Sequence, residues 1–568
     1  MIKQYKFIIL GSVILLFLVI CKDDSLETLK SDSLVTAVPS DYSNVLFENK
    51  ATQTRENNHM INSQFVSGGG VAVGDINQDG LQDIFFTGNQ VTDRLYLNKG
   101  NFKFKDISQK AGITTDNKWS SGVTFVDIDN DGDQDIYVCR FVYLENEKSA
   151  NQLYINNGNL TFTEQAAAFG LADKGFSIQA TFFDFDKDGL IDVYIVNQPP
   201  SIPNIENKLN YEQFSNILFS DRLYKNKGNG KFEDYTTKAN VKNFGFGLSA
   251  TTSDLNNDGW EDIYVTNDFD VPDHIYINQK NGTFKDVIHN STKHISNFSM
   301  GSDIADYDND GSLDIIVVDM VAEDHKRIKT NMGGMQPEKF WDIVNKGGHY
   351  QYMFNTLQRN NGNGTFSELG QLAGVTNTDW SWAPLFADFD NDGYKDLFVT
   401  NGIKSNNRNG DLTSIYENKV DSLTRIAKQK GLKLNKVIDV IDFVNIAPTD
   451  KLANYIYKNN GDLTFTNKIK DWGMEALTLS NGAAYADLDL DGDLDLVINN
   501  IDEKAMLYRN HAIENGIGNY IRFKVIPKKN QVIYGTKITL YQADKIWQVN
   551  QISNGRGFMS KSENILHF

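Results

Sequence analysis

Short apolar runs, broken by acidic and Asn/Gly-rich turns, recur along almost the whole chain. A run rich in Gly, Ser or Ala, such as residues 69–74 or 122–126, leads into an acidic loop, and a second run follows it, as in residues 83–87 and 396–400. A third lies around Leu95-Tyr96-Leu97, Leu153-Tyr154-Ile155, Leu223-Tyr224 and Ile275-Tyr276. After an Asn/Gly turn, a fourth ends at Phe104, Phe162, Phe232, Phe284, Phe366 or Phe465. Runs of this length, bounded by turn residues and rich in β-branched and aromatic side chains, read as strands. Four strands per unit, in seven units, predict an all-β fold, a seven-bladed β-propeller.

The spacings show where the units differ. From the third-strand Tyr (Gln358 in the fifth unit) to the fourth-strand Phe is 8 residues in each of six units. From that Phe to the next acidic loop is 22 or 23. Only the connection between the second and third strands varies, with 13, 19, 32, 14, 44, 61 and 13 residues from the end of the loop to the third-strand position. Alternate connections of a blade lie on opposite faces, so these insertions face away from the acidic loops. Loop variation over a constant scaffold marks a binding face. The longest insertions are 197–221, 319–352 and 401–454. The last contains residues 414–430, whose apolar spacing predicts a helix. Where the second strand reaches this face stand Gly88, Arg140, Asn197, Asn267, Asp319, Asn401 and Asn500. A polar ring there would suit a ligand site, but the turn chemistry of Asn accounts for it more simply.

The seven acidic loops share one frame, of which Asp-Phe-Asp-Asn-Asp-Gly-Tyr-Lys-Asp at residues 388–396 is an example. Position 1 is Asp75, Asp127, Asp184, Asp254, Asp306, Asp388 or Asp487. Position 3 is Asn77, Asp129, Asp186, Asn256, Asp308, Asp390 or Asp489. Position 5 is Asp79, Asp131, Asp188, Asp258, Asp310, Asp392 or Asp491, and position 9 is Asp83, Asp135, Asp192, Asp262, Asp314, Asp396 or Asp495. Carboxylates this close repel one another unless a cation lies between them, and a hard, oxygen-seeking ion such as Ca2+ suits them. Position 6 is always Gly, which lets the chain turn back sharply at positive φ. Position 7 carries unrelated side chains, as a backbone-carbonyl ligand would allow. The loop departs from an EF-hand because position 12 is apolar and continues a strand, so the Asp at position 9 must close the site. Up to seven structural Ca2+ ions are therefore expected.

Charge and cysteine count narrow the function. The chain has 568 residues and a formal charge of −19, which argues against a nucleic-acid partner, since that would want a basic face. Seven divalent ions would bring that charge to −5, so much of the acidity is explained as ligand. Two cysteines form no disulfide framework. Cys139 falls in a strand and reads as a small buried hydrophobe. Cys21 follows Lys3, Lys6 and an apolar run at 7–20, too short to cross a bilayer comfortably. Residues 1–21 thus read as a lipoprotein-type signal peptide with Cys21 as the lipidation site, although Ile20 is not the small residue such signals prefer. Lys22-Asp23-Asp24 resembles the acidic surface-export signal of Bacteroidetes lipoproteins. Membrane contact is expected only through that N-terminal lipid.

Residues 22–43 read as a flexible tether and 44–511 as the propeller. The seventh unit lacks a fourth strand, because Gly516 stands where Phe is expected. Residues 45–49 (Val-Leu-Phe-Glu-Asn) are expected to supply it and close the ring, since an open ring would expose a sheet edge. From 512 the pattern breaks. Strands at 520–526, 536–542 and 546–551, with an Ala543-Asp544 hairpin turn, predict a small separate β module at 512–568.

The loops resemble the FG-GAP/VCBS repeats of integrin-α-type propellers. Gly535-Thr536-Lys537-Ile538-Thr539-Leu540-Tyr541 and residues 554–560 resemble the ASPIC/UnbV module. The pair, with Gly68-Gly69-Gly70-Val71-Ala72-Val73-Gly74-Asp75 and Trp380-Ser381-Trp382-Ala383-Pro384, is similar to the cartilage-acidic-protein-like family abundant in Bacteroidetes. That module usually continues past His567-Phe568, so the chain is expected to end within it. The resemblance implies calcium on the loop Asp and Asn residues and a surface or extracellular role, and no established reaction.

The function expected is therefore an exported, calcium-binding propeller that acts at the cell surface as a binding or adhesion module for a glycan or a protein. One alternative is a propeller-based polysaccharide lyase or hydrolase on the insertion face, in which Asp319, His325, Lys326, Arg327 and Lys329 would meet. No zincin or nucleophile-elbow motif supports it, and the catalytic residues stay unknown. The other alternative is a structural part of an envelope assembly.

Overall fold

The computed structural model describes residues 32–113, 119–141, 150–199, 219–331, 337–528 and 531–568. Seven four-stranded antiparallel sheets stand as the blades of a propeller. The first is Val71–Gly74, Asp83–Phe86, Arg94–Asn98 and Phe104–Asp106, and the pattern repeats through the sixth, Ser381–Ala387, Asp396–Asn401, Tyr455–Asn459 and Phe465–Asn467. The first two strands of each blade are buried along their whole length, as innermost strands covered on both faces must be. The acidic loop joins them at one end. Four-residue helices that the strand pattern does not announce, such as Ser108–Ala111, Ala166–Phe169 and Gly370–Ala373, join fourth strands to the next blade at the other end.

The ring closes with an N-terminal strand, but not the one expected. Val35–Val38 pairs antiparallel with the third strand of blade 7, Val35 opposite Asn510 and Val38 opposite Leu507. The tether reading of 22–43 is corrected accordingly: the propeller begins inside it. Residues 45–49 make only two isolated bridges, Glu48 to Lys504 and Asn49 to Ile501, with the Ala505 and Asp502 N–H groups donating to the Phe47 and Asn49 carbonyls. They are drawn off the blade edge because Phe47 stacks on Phe86 of blade 1, with ring centroids 5.1 Å apart. Val35–Val38 wins the edge because Val35 and Val38 are both buried there and Pro39 ends the run. Burying two valines is worth roughly 3–6 kcal/mol. A chain beginning at residue 44 is expected to lose at least that much in urea unfolding and to associate through the bare Leu507–Asn510 edge, which size-exclusion chromatography would detect.

The C-terminal segment packs directly onto the propeller. Arg522–Lys524 pairs with Ile565–His567, and Lys537–Gln542 with Lys545–Gln551 across the Ala543-Asp544 turn, where both residues have positive φ (48° and 65°). This layer lies on the acidic-loop face, with Arg522 on Asp487 at 2.5 Å and Lys537 on Asp254 at 3.0 Å. From it, residues 553–562 enter the central channel and touch all seven blades. Asn554 Oδ1 accepts from Thr124 Oγ1 and from the Phe182 N–H. Ser553 donates to the Thr252 carbonyl, Gly557 N–H to Ser302, and Lys561 N–H to Val71. The Phe558 ring lies 5.2 Å from Trp382, and Arg556 reaches Tyr485. The inner strands present hydroxyls, backbone groups and Gly to this channel, and the inserted chain bonds to them.

Candidate metal centres

Each acidic loop is held by its own backbone before any ion is considered. In all seven, the position-1 carboxylate accepts the N–H of position 5 on one oxygen and that of the position-6 Gly on the other, at 2.8–3.2 Å. The Gly sits at φ between 84° and 102°. Position 4, too, is left-handed in every loop (Gln78, Asn130, Lys187, Asn257, Asn309, Asn391, Leu490), and Asn, which tolerates that region, takes four of the seven places. Position 5 turns one oxygen to the position-7 N–H, as Asp131 does to Asp133 at 3.0 Å.

The position-9 Asp is the keystone of each blade. Asp83, Asp135, Asp192, Asp262, Asp314, Asp396 and Asp495 are all fully buried. Each accepts the position-2 N–H at 2.8–3.3 Å and the N–H of the last third-strand residue at 2.7–2.9 Å. That residue is Asn in all seven blades: Asn98, Asn156, Asn226, Asn278, Asn360, Asn459 and Asn510. In six of them its side chain also donates, at 2.7–2.9 Å, to the position-2 carbonyl of an adjoining blade's loop. These asparagines lock blade to blade. The sequence shows them as a seven-fold Asn two residues after the third-strand Tyr, a signal the loop-centred reading passed over.

In loops 2, 3, 5, 6 and 7, oxygens of positions 1, 3 and 9 converge within 4.8 Å, as in Asp127-Asp129-Asp135 and Asp388-Asp390-Asp396. The position-5 carboxylates stand outside these triplets, and loops 1 and 4 offer Asn77 and Asn256 at position 3. A fixed cation reaches the rim of four loops from the third strand: Lys225 meets Asp186 and Asp188, Arg359 meets Asp308 and Asp310, Lys458 meets Asp390 and Asp392, and Arg509 meets Asp489 and Asp491. In each of these the other oxygen of position 3 (Asp186, Asp308, Asp390, Asp489 Oδ1) is buried without a partner. A set of buried hard oxygens with one left bare fits a divalent cation of the calcium type.

Burial shifts the loop carboxyls upward. It pushes Asp83, Asp135 and Asp262 up to about 8, and carries Asp192, Asp314, Asp396 and Asp495 well above the usual range. Loop 2 is the most exposed to this strain. Asp127, Asp129, Asp131, Asp133 and Asp135 crowd together, and among the described residues none has a basic partner. Burial and then the neighbouring Asp131 raise Asp133 to about 7.

The other candidate sites resolve differently. The position-14 residues are buried strand ends. In the first six blades their N–H groups donate, at 2.7–2.9 Å, to Asp93, Asn151, Asp221, Asp273, Asn355 and Asn454, so turn chemistry accounts for them. Asp319 is buried on Ser296 and the Phe298 and Met320 N–H groups, and Arg327 is held by Asp379 and Asp450. Those two therefore serve structure, while His325, Lys326 and Lys329 are exposed. The helix expected at 414–430 is Leu412–Gln429. The mouth of the channel on this insertion face holds a cavity of about 650 Å3 between blades 4, 5 and 6 and the segment before blade 1. Cys21, the signal peptide and most of the 197–221 insertion lie outside the described residues. Cys139 is a buried free thiol.

Residues 75–138, 141–195, 217–265, 254–317 and 343–399 match the FG-GAP-like repeat family, and residues 526–568 match ASPIC and UnbV. The chain is thus an FG-GAP-repeat propeller protein. Its particular order, repeats followed by an ASPIC/UnbV domain, is similar to that of the cartilage acidic proteins. It is 24% identical over 484 residues to cartilage acidic protein 1 of Xenopus tropicalis, covering 79% of this chain and 68% of that protein. To cartilage acidic protein 1 of Mus musculus it is 24% identical over 208 residues, spanning 36% of this chain and only 29% of that protein's length. Among solved structures, the rhamnogalacturonan lyase YesW aligns over 85% of this chain and 76% of its own, at 11% identity and a TM-score of 0.37. The seventh loop, Asp487 to Asp495, lies beyond the matched repeats yet has the same geometry as the others.

One substitution separates the structural role of position 9 from its role toward an ion. Asn at position 135 has a single acceptor oxygen for two N–H donors, those of Ile128 and Asn156. Asp135→Asn is expected to cost about 1–3 kcal/mol in urea unfolding with or without calcium. Asp129→Asn, which copies loops 1 and 4, should lower only the calcium-dependent part.

Proposed function

We propose that the protein is an exported, surface-held propeller whose loops bind calcium structurally and whose insertion face binds a glycan or a protein. The convergence of three carboxylates within 4.8 Å in five loops carries the calcium part. Filling them would stabilise the fold by mass action. On the face opposite the loops, the fifth insertion presents an aromatic group, Trp341, Tyr350 and Tyr352, exposed by 52%, 41% and 38%, with Phe340 packed among them. Large apolar rings left in water on a face of varied loops support an interaction surface. The segment at 7–21 supports export and lipid attachment at Cys21. Among the described residues, no helix is long and apolar enough to cross a membrane.

The test is direct. Calcium is expected to raise the thermal midpoint of the purified protein, and the calcium form is expected to be retained on a glycan or protein array without altering what it binds. New reducing or unsaturated ends in the glycan would replace the binding reading with an enzymatic one. In cells, Cys21→Ala should abolish incorporation of labelled palmitate, and unchanged labelling would remove the anchor.

A further inference from the structure

The cavity at the insertion-face mouth contains polar atoms with nothing to bond. His59 Nε2, Gln64 Oε1 and Trp380 Nε1 are buried and unpartnered, in residues only 7%, 1% and 7% exposed, and the three residues are among those that line the cavity. A buried polar atom without a partner is costly, and three around one space point to something that fills it.

The bonds on the far side of each group fix what it offers. Gln53 Oε1 accepts the His59 backbone N–H at 3.0 Å and lies 2.7 Å from His59 Nδ1, so Nδ1 carries the proton and Nε2 presents a lone pair. Burial lowers the His59 pKa and keeps the ring neutral. Gln64 Nε2 donates to Gln198 Oε1 at 2.5 Å, and Gln198 Nε2 donates to the Gly247 carbonyl at 2.8 Å. A carbonyl only accepts, so the direction of this chain is set and Gln64 Oε1 remains an acceptor. The Trp380 indole N–H is a donor only.

Arg408, from the sixth insertion, supplies the other donors. Its guanidinium carbon lies 4.0 Å from the Phe298 ring centroid and 5.5 Å from that of Trp380. Among the described residues, its side chain has no hydrogen bond and no ion pair within 4.0 Å. Asp268 and Asp319 attract it through space. Phe246, Phe269 and Trp382 add flat apolar walls, and Trp382 rests on Phe558 of the channel insert, which backs the cavity on the acidic-loop side.

Two fixed acceptors, two sets of fixed donors and aromatic walls in one pocket match a ring that carries several hydroxyls, each able to donate and accept, with C–H faces that stack on aromatics. The charges decide between sugars. Arg408 already faces two carboxylates, so an added anion would sit in a net negative corner of a chain with a formal charge of −19. We infer that this cavity binds one or two uncharged sugar residues of a neutral glycan. The volume of about 650 Å3 lies within the roughly 300–1,000 Å3 of small-ligand sites.

This inference rests on the insertion-face binding reading and narrows it. The experiment titrates the full calcium-loaded chain with neutral mono- and disaccharides, and with glucuronate and glucosamine as charged counterparts, following Trp fluorescence and calorimetry. A neutral sugar should bind, and glucuronate at least about tenfold more weakly. Trp380→Phe, which removes only the N–H, should weaken it about tenfold with the thermal midpoint unchanged, and Arg408→Gln should weaken it by a similar factor. Tighter binding of glucuronate or glucosamine, no response to any neutral sugar, or binding indifferent to both substitutions would overturn the inference. A glycan or protein held by the insertion face but indifferent to Trp380→Phe and Arg408→Gln leaves the broader reading standing. Loss of the calcium response in the same samples removes that reading instead.

Discussion

Stripping divalent ions from the protein is expected to invert the pH dependence of its stability. The position-9 carboxyls titrate near 8 at Asp83, Asp135 and Asp262, and well above the usual range in the other four loops, because burial disfavours their charge. In the unfolded chain they titrate near 3.9. The ion-free folded state therefore holds protons that the unfolded state releases. That contribution is complete below about pH 4 and is lost as pH rises through about 8. A bound calcium ion needs the same groups ionised, so protons and calcium compete, and the calcium form gains stability over the window in which the ion-free form loses it. Extracellular calcium sites hold their ion at roughly 10⁻⁴–10⁻³ M. Calcium at a hundredfold excess over the dissociation constant would add about 2.7 kcal/mol per filled loop. Thermal midpoints measured between about pH 5 and about pH 8 should rise with calcium and fall after chelation. Two parallel profiles would mean that the loops bind no ion, and that their carboxyls are held by backbone N–H groups alone.

The loops were legible because they recur. One Asp-x-Asp-x-Asp-Gly is an ordinary turn, whereas seven in one frame, each followed by an apolar run, fix both blade number and strand order. What occurs once was not legible by that route. Leu34-Val35-Thr36-Ala37-Val38 closes the ring without the Phe that marks the other fourth strands, and residues 45–49 resembled that mark more closely. Only the three-dimensional competition between the blade edge and Phe86 separates them. The third-strand Asn was visible seven times, but its meaning lies in a bond to an adjoining blade that no spacing within a blade reveals. The insertion-face cavity is less legible still, since His59, Gln64, Trp380 and Arg408 share no period and meet only because the ring closes. Periodicity encodes the blades, and the unrepeated segments encode what is done with them.

The channel insert gives the largest effect expected from a single side chain. Arg556 is enclosed by blades 5 and 7: its Nε lies 2.8 Å from Asp303 Oδ1, one terminal nitrogen donates to the Ile304 carbonyl at 2.9 Å, and the other meets the Tyr485 hydroxyl. Asp303 is fully buried and also accepts the Phe386 N–H of blade 6 at 2.7 Å, so one carboxylate ties the insert to two blades. Truncating Arg556 leaves that charge buried and uncompensated, a loss of about 3–5 kcal/mol. Arg556→Ala should therefore lower the urea midpoint of the whole protein, because an insert that touches every innermost strand cannot leave without loosening all seven blades. Asp303→Asn on the Arg556→Met background should recover most of the loss, since replacing both partners of a buried pair by groups of similar volume is close to neutral. Main-chain fit makes a second demand. Gly557 adopts φ +67°, and opposite it an added Cβ on Gly301 would lie 2.2 Å from the Trp382 carbonyl, so neither position admits a side chain without moving a strand. If Arg556→Ala instead releases the C-terminal layer in a separate early transition while the propeller unfolds at its original midpoint, the insert is a passenger. The inner strands would then hydrate their own polar groups, and the cavity above, no longer backed by Phe558, would open into a through-channel.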